Sequence, residues 1–181
     1  GYTPEEIYSL FRKYAKDIAT INTKPIIAGL QSHIFKSKKV FSSLKDGKII
    51  ENVYNKMALQ KKIKNIDEIQ MPLVIPSVDI TESKEYVFTN KIPQNAEDKT
   101  QYITNITVGK AVRASSSFPA VFNPCLMGKH AFMDGGALDN VPVNEVKKQG
   151  ADKVIAVKFD ADSVDENSNI MDIVMKTIDI M

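Results

Sequence analysis

Phe132-Met133-Asp134-Gly135-Gly136-Ala137-Leu138-Asp139-Asn140-Val141-Pro142-Val143 is the stretch on which the reading of this chain turns. A carboxylate stands between an apolar run (Ala131, Phe132, Met133) and two glycines. That order describes an acid at the end of a buried strand, opening into a tight turn, because glycine lets the backbone turn sharply and lets another group come close. Partial burial raises the proton affinity of a carboxylate. Asp134 is therefore a candidate general base, with Gly135 and Gly136 as the turn supporting it. Asp and Gly also favour turns for backbone reasons alone, so these three residues by themselves leave a plain turn open.

Downstream, Asn140, Pro142 and the Val143/Val146 pair start a helix that Gly150 ends. Lys153-Val154-Ile155-Ala156-Val157-Lys158-Phe159 then has the continuous apolar core of a strand buried on both faces. Strand, helix, strand predicts a parallel α/β unit. Upstream, Val108, Ala111, Val112 and Ser115 mark a short helix stopped by Phe118-Pro119. Residues 72–79 predict a buried strand and 85–89 its partner, with a turn at 81–84. Residues 92–101 are polar, contain Pro93, and are expected as a surface loop.

At the start, Thr3-Pro4-Glu5-Glu6 combines a capping hydroxyl, a proline at the first helical position and a glutamate placed to close a capping box. Ile7, Leu10, Phe11, Tyr14 and Ile18 follow on one helical face, predicting a helix over 4–17. Asp46-Gly47 marks a turn, and Ile50, Val53, Tyr54 and Met57 predict a second helix to about Lys62. Ile170, Ile173, Val174, Ile178 and Met181 keep helical steps up to the last residue. The chain opens at Gly1-Tyr2 without a methionine, directly ahead of a helix start, and closes inside a helical pattern. It is expected to be an interior piece of a longer protein, one α/β domain over 1–181, incomplete at both ends.

The bulk numbers exclude several classes. With 181 residues, 43% apolar and 25% charged, the chain can bury a sizeable core. A net charge of +2 from 24 basic and 22 acidic residues gives no footprint for nucleic acid. The densest basic cluster, Lys61, Lys62 and Lys64, is a solvated face. Cys125 is alone, which rules out an internal disulfide; its neighbours Pro124, Leu126 and Met127 predict a buried, inert thiol in a reducing, cytoplasmic setting. No apolar run approaches the roughly 18 residues of a spanning helix.

The two histidines, His33 in a lysine-rich segment and His130 beside Lys129, do not present a triad base. With a single cysteine they give no zinc-ligand set either. The run Asp160, Asp162, Asp165 and Glu166 fails as a calcium loop, because Val164 and Asp165 occupy positions that need an oxygen ligand and a glycine. No cofactor and no metal are expected. Lysines interleaved with Phe and Ile between Ile34 and Leu44 fit either a peripheral membrane-surface contact or a loop over the core.

Taken together, Ala114-Ser115-Ser116-Ser117-Phe118-Pro119-Ala120-Val121-Phe122-Asn123-Pro124, then Phe132 to Gly136, Asn140-Val141-Pro142 and Gly150-Ala151-Asp152 resemble the carboxyl-terminal part of a patatin-like phospholipase domain. Gly1 to Glu6 is similar to the segment shortly after that family's nucleophile elbow. The resemblance spans nearly the whole chain and is most specific over 113–157. It implies a three-layer α/β fold with a mostly parallel central sheet. It also implies hydrolysis of lipid or fatty-acyl esters by a Ser–Asp dyad, with the serine in G-x-S-x-G and a glycine-rich loop as oxyanion hole. One catalytic member carries over, Asp134.

The departure from that pattern is equally informative. The glycines stand at Gly1, Gly29, Gly47, Gly109, Gly128, Gly135, Gly136 and Gly150, and no two are four apart. G-x-S-x-G is therefore missing, and with it the strained turn that would present a serine. Ser115, Ser116 and Ser117 are read as a helix end. The expectation is a lipid acyl hydrolase whose nucleophile lies upstream of Gly1, inactive as the 181 residues alone. The alternative is a non-catalytic scaffold of the same fold that binds lipid or protein. A metal-dependent phosphatase around Asp134 lacks the further carboxylates and histidines it would need. Oligomeric state, acyl length and head group are not encoded legibly.

Overall fold

The computed structural model describes residues 1–19, 46–96, 99–119, 121–158 and 176, with the backbone alone for 16–19. Strands β1 (Val74–Asp79), β2 (Lys84–Thr89), β3 (Thr100–Ile103), β4 (Cys125–Met127) and β5 (His130–Asp134) form one sheet in the order β3-β2-β1-β5-β4. The central strand β1 pairs antiparallel with β2 and with β5, β4 pairs antiparallel with β5, and β2–β3 is parallel. The α/β class holds, but the sheet is mixed rather than mostly parallel. Its hairpins explain why: β1–β2 and β4–β5 are joined by short turns, which can only link antiparallel neighbours.

Register sorts the side chains. Ile75 faces Phe88 and Ser77 faces Tyr86, while Asp79 faces Phe132 across β5. Opposed residues share a face, and this one carries the main core of Tyr86, Phe88, Phe132, Cys125 and Ile66. Phe132 packs edge-on to Tyr86 and Phe88, with ring centroids 5.1 and 5.5 Å away. Helix α3 (Val108–Ser115) closes the core with Ala111 and Ala114, both fully buried. Thr107 caps α3, its hydroxyl accepting from the Lys110 N–H. Two small residues one turn apart let the helix lie low on the sheet.

Helix α2 (Lys48–Gln60) packs behind α3. At their crossing a Cβ on Gly109 would stand 2.0 Å from the Glu51 carbonyl oxygen. The Asn55 side chain accepts from the Gly109 N–H at 2.8 Å, and Arg113 meets Glu51 at 3.0 Å with both side chains largely buried. The first helix, α1 (Pro4–Ala19), starts with the expected reciprocal capping box: Thr3 N–H to Glu6 at 2.8 Å, and Glu6 N–H to the Thr3 hydroxyl at 3.2 Å. Tyr2 and Lys61 tie it to α2. Of the face anticipated as buried, Tyr14 is covered while Ile7 and Phe11 stay exposed. With Val53, Tyr54 and Met57 they line an apolar groove of about 270 Å³.

Three other expectations change. Thr100 and Gln101, expected in a loop, belong to β3, since Thr100 bonds Glu85 of the neighbouring strand at 2.7 Å. The strand at 125–127 was not anticipated. The strand expected at 153–159 does not form over its described residues: Ile155 and Val157 are 93% and 74% exposed. An apolar run becomes a strand only in a ladder with a partner, and the described residues of this run join none, so the parallel strand–helix–strand unit is not built among them. Helix α4 (Val143–Lys148) does form as expected. The segment 34–44, the acidic run at 160–166 and the helical pattern at 170–181 lie outside the described residues, apart from Lys176.

The α2–α3 contact predicts a sensitive position. Gly109→Ala forces the helices apart and is expected to lower stability by about 2–3 kcal/mol. Urea unfolding measures this, and a loss below about 0.5 kcal/mol would contradict the packing described.

Candidate active site

Asp134 is the last residue of β5 and stands opposite Ser77 on the central strand. Its N–H donates to the Ser117 carbonyl at 3.1 Å, and the Ser77 hydroxyl donates to the adjoining Met133 carbonyl at 2.7 Å. These bonds hold the strand end between β1 and the end of α3. The chain then turns through one 3-10 turn, Gly135–Ala137, which the Asp134 carboxylate caps: Oδ1 accepts from the Gly136 N–H at 2.8 Å.

Gly135 is required by space. A Cβ there would sit 2.4 Å from the Pro76 carbonyl oxygen. At Gly136 a Cβ would crowd the Asp134 carboxylate itself, at 3.1 Å from Oδ1. The close approach at Gly135 and the Gly136 N–H bond thus set where the Asp134 carboxylate lies. Burial pushes the Asp134 carboxyl above the ordinary aspartate range, and the single Gly136 N–H opposes that push without cancelling it. The other carboxylate oxygen is left to accept a proton. Among the described residues no serine hydroxyl donates to it. Ser115 and Ser116 end α3, and the Ser117 hydroxyl is spent on the Arg113 carbonyl at 2.8 Å, a helix end as anticipated. Cys125 is fully buried and burial raises its thiol, matching an inert core cysteine.

Beyond the turn, burial also raises Asp139, against the Val141 N–H and with help from Glu145. A cleft of about 750 Å³ lies beside it, lined by Glu85, Lys99, Thr100, Leu138, Asp139 and Glu145 among others. Glu145 is buried but satisfied, accepting from the Tyr102 hydroxyl and from Lys148, each at 2.8 Å. Burial and that bond to Glu145 push the Tyr102 hydroxyl up to about 12.

The other end of β5 holds a pair that sequence reasoning missed. His130 Nδ1 lies 2.6 Å from Oδ2 of Asp79, whose side chain is fully buried. Burial acts to raise this carboxyl, but His130, the Ala131 N–H and two Thr81 donors outweigh it and hold Asp79 at about 2. A hint existed in the sequence: Asp79 with Thr81 two residues on is an Asx-turn signature at a strand end. His130 thus pairs with Asp79, at the end of β5 opposite Asp134.

An acid at a strand end, followed by paired glycines, thus sits on an α/β domain with a mixed sheet. The family model for "Patatin-like phospholipase" matches residues 2–147; the chain belongs to that family. Among curated relatives, "Probable lipid hydrolase 463L" of Invertebrate iridescent virus 6 is 24% identical over 167 residues, covering 87% of this chain and 53% of that protein. "Lysophospholipase NTE1" of Debaryomyces hansenii is 46% identical over 57 residues, and that of Candida albicans 45% over 62, each covering 32% of this chain and 4% of the relative. The chain thus spans about half of the viral relative's length and a small part of the fungal ones.

The environment of Asp134 carries a pH prediction. Its folded pKa is raised, so the folded state holds more protons than the unfolded one, and stability falls as pH rises from about 3.9 through the folded value. Asp134→Asn keeps an acceptor for the Gly136 N–H and removes the desolvated charge. It is expected to be more stable than the parent at pH 7, the difference vanishing by about pH 3, below the ordinary aspartate value. Urea unfolding at both pH values tests this; a variant less stable at pH 7 overturns it.

Proposed function

We propose that the protein is a lipid acyl hydrolase in which Asp134 is the general base of a Ser–Asp dyad, with the nucleophilic serine and the oxyanion-hole donors outside these 181 residues. The observation that carries this is the raised, one-donor carboxylate at the end of β5. An aspartate at its ordinary value of about 3.9 is a feeble base at neutral pH, and burial against β1 and α3 makes Asp134 a better one. The family membership and the relatives' printed names, lipid hydrolase and lysophospholipase, support a lipid ester as substrate.

In this mechanism Asp134 takes the proton of the serine hydroxyl as its oxygen attacks the ester carbonyl. The tetrahedral adduct collapses, and Asp134 returns the proton to the departing alcohol. Asp134 then removes a proton from water attacking the acyl-enzyme; the fatty acid leaves and the serine regains its proton. With no imidazole between the two groups, the carboxylate contacts the hydroxyl directly, so its position is critical. Gly135 and Gly136 set it.

The same reading gives the protein a cytoplasmic setting with a peripheral contact at membranes, where its substrate resides. The lone, buried Cys125 fits a reducing compartment. Helix α1 carries exposed Ile7, Tyr8 and Phe11 beside Arg12 and Lys13, the composition of an interfacial face. No helix among the described residues is long and apolar enough to cross a membrane.

In the whole protein, Asp134→Asn is expected to lower kcat about 10³-fold with KM nearly unchanged. The acid limb of kcat/KM should lie above the ordinary aspartate value, because the base works only when deprotonated. An unchanged kcat sinks the assignment, and a whole protein without any esterase activity favours the non-catalytic scaffold. The 181 residues alone are expected not to turn over a fluorogenic fatty ester; turnover would place a nucleophile within them.

A further inference from the structure

We propose that Asp79, Glu82 and His130 form a binding site for a divalent transition-metal ion of the Zn²⁺ type, at the end of β5 remote from Asp134. Four residues of strand separate His130 from Asp134, roughly 13 Å at the ordinary rise. The site is therefore separate from the proposed ester chemistry.

Two turns build it. The first joins β1 to β2 and carries Glu82, directly after Asp79. The second joins β4 to β5 and delivers His130. One ligand atom from each of the three lies within 4.8 Å of the others. His130 Nδ1 is 2.6 Å from Asp79 Oδ2 and 4.0 Å from Glu82 Oε1. Tetrahedral donors about 2.0–2.2 Å from one ion stand about 3.3–3.6 Å apart, so the ion takes the place of the hydrogen bond between His130 and Asp79 and opens that pair. Glu82, partly exposed on its turn, needs only a small shift to complete the set.

The orienting bonds are already present. Asp79 Oδ1 accepts from the Ala131 N–H at 3.0 Å, the Thr81 N–H at 3.1 Å and the Thr81 hydroxyl at 2.8 Å. Oδ2 faces His130, with the Thr81 hydroxyl at 3.0 Å as its other contact. Such outer bonds fix a ligating carboxylate in place. The imidazole is wedged by Tyr86 and Phe132, with centroids 5.5 and 5.8 Å away. That wall limits ring rotation and keeps one side dry.

Charge decides what the site takes. Two carboxylates and one imidazole, without a thiolate, suit Zn²⁺, Mn²⁺ or Fe²⁺, and three protein ligands leave positions for water. At present Glu82 is paired with Lys129 at 3.1 Å and Lys84 at 3.8 Å. Both lysines are well exposed, 78% for the Lys129 side chain, and such surface pairs hold weakly. A divalent ion displaces them readily. Scarce histidines and a single cysteine argued against zinc in the sequence; the fold supplies the missing donors as two carboxylates of the β1–β2 turn, brought to the histidine of the β4–β5 hairpin. A bound ion would clasp the β1–β2 turn to the β4–β5 hairpin.

Zn²⁺ titration calorimetry on chelator-stripped protein tests this, with Co²⁺ absorption reporting the donor set. The expected result is one saturable site. His130→Gln and Glu82→Gln should each weaken it about 10–100-fold, while Lys129→Ala tightens it several-fold by removing the competing cation. Zn²⁺ should also raise the unfolding temperature of the parent and not of His130→Gln. Glu82 sits on a partly exposed turn, so its variant keeps the test valid should the histidine variant misfold. Equal affinity in the parent and Glu82→Gln overturns the proposal. So does the lack of saturable binding, or a loss produced by His33→Gln instead.

Discussion

The backbone after β5 runs so close to β1 that a Cβ on Gly135 would stand 2.4 Å from the Pro76 carbonyl oxygen, and the rest of the structure is organised around that approach. β1 is the hub: it pairs with β2 on one side and β5 on the other, and α3 lies across it. Moving the turn away from Pro76 would break three things together. The β5 end would lose its bonds to Ser77 and Ser117, the 3-10 turn would lose its seat, and the Asp134 carboxylate would gain water. Since burial is the cause of its raised proton affinity, the close approach of two backbones is what tunes the acid. Packing and chemistry meet at a residue without a side chain.

The molecule treats two aspartates on the same sheet face in opposite ways. Asp79 is fully buried yet accepts from His130, Ala131 and Thr81, so its charge is well satisfied and its pKa falls to about 2. Asp134 is less buried yet has one N–H donor, and its pKa rises. Burial raises both carboxyls; at Asp79 the donors outweigh it, and at Asp134 the single Gly136 N–H does not. An acid meant to hold two turns together is saturated with donors. Asp134, left short of them, suits the proton transfer proposed for it.

What could be read from the sequence follows from how local each signal is. The capping box at Thr3–Glu6, the helix at Val108–Ser115, the β1–β2 pair and the Asp134 turn all depend on residues within a few positions of one another, and all were legible. β3 was not, because its polar Thr100 and Gln101 become strand residues only through the ladder with β2. β4 is three residues long, too short for a period to show. The run at 153–158 misled in the other direction: Val154, Ile155 and Val157 have strand composition, but a strand is a property of a pair. The Asp79–His130 contact spans 51 positions and no local pattern announces it.

That same distinction explains why the candidate site was legible in part. The base and its glycines are contiguous, so composition and order suffice to find them. A Ser–Asp dyad, however, is an encounter between distant segments, and one contiguous motif can identify only one side of it. Asp134 accordingly presents a tuned carboxylate, one oxygen anchored to Gly136 and the other unclaimed by any described serine. A carboxylate built this way adds little to stability, since its desolvated charge opposes folding at neutral pH; beside a turn where space forbids a side chain at Gly135, that is the physical argument for the proton-transfer role proposed for Asp134 over a plain turn.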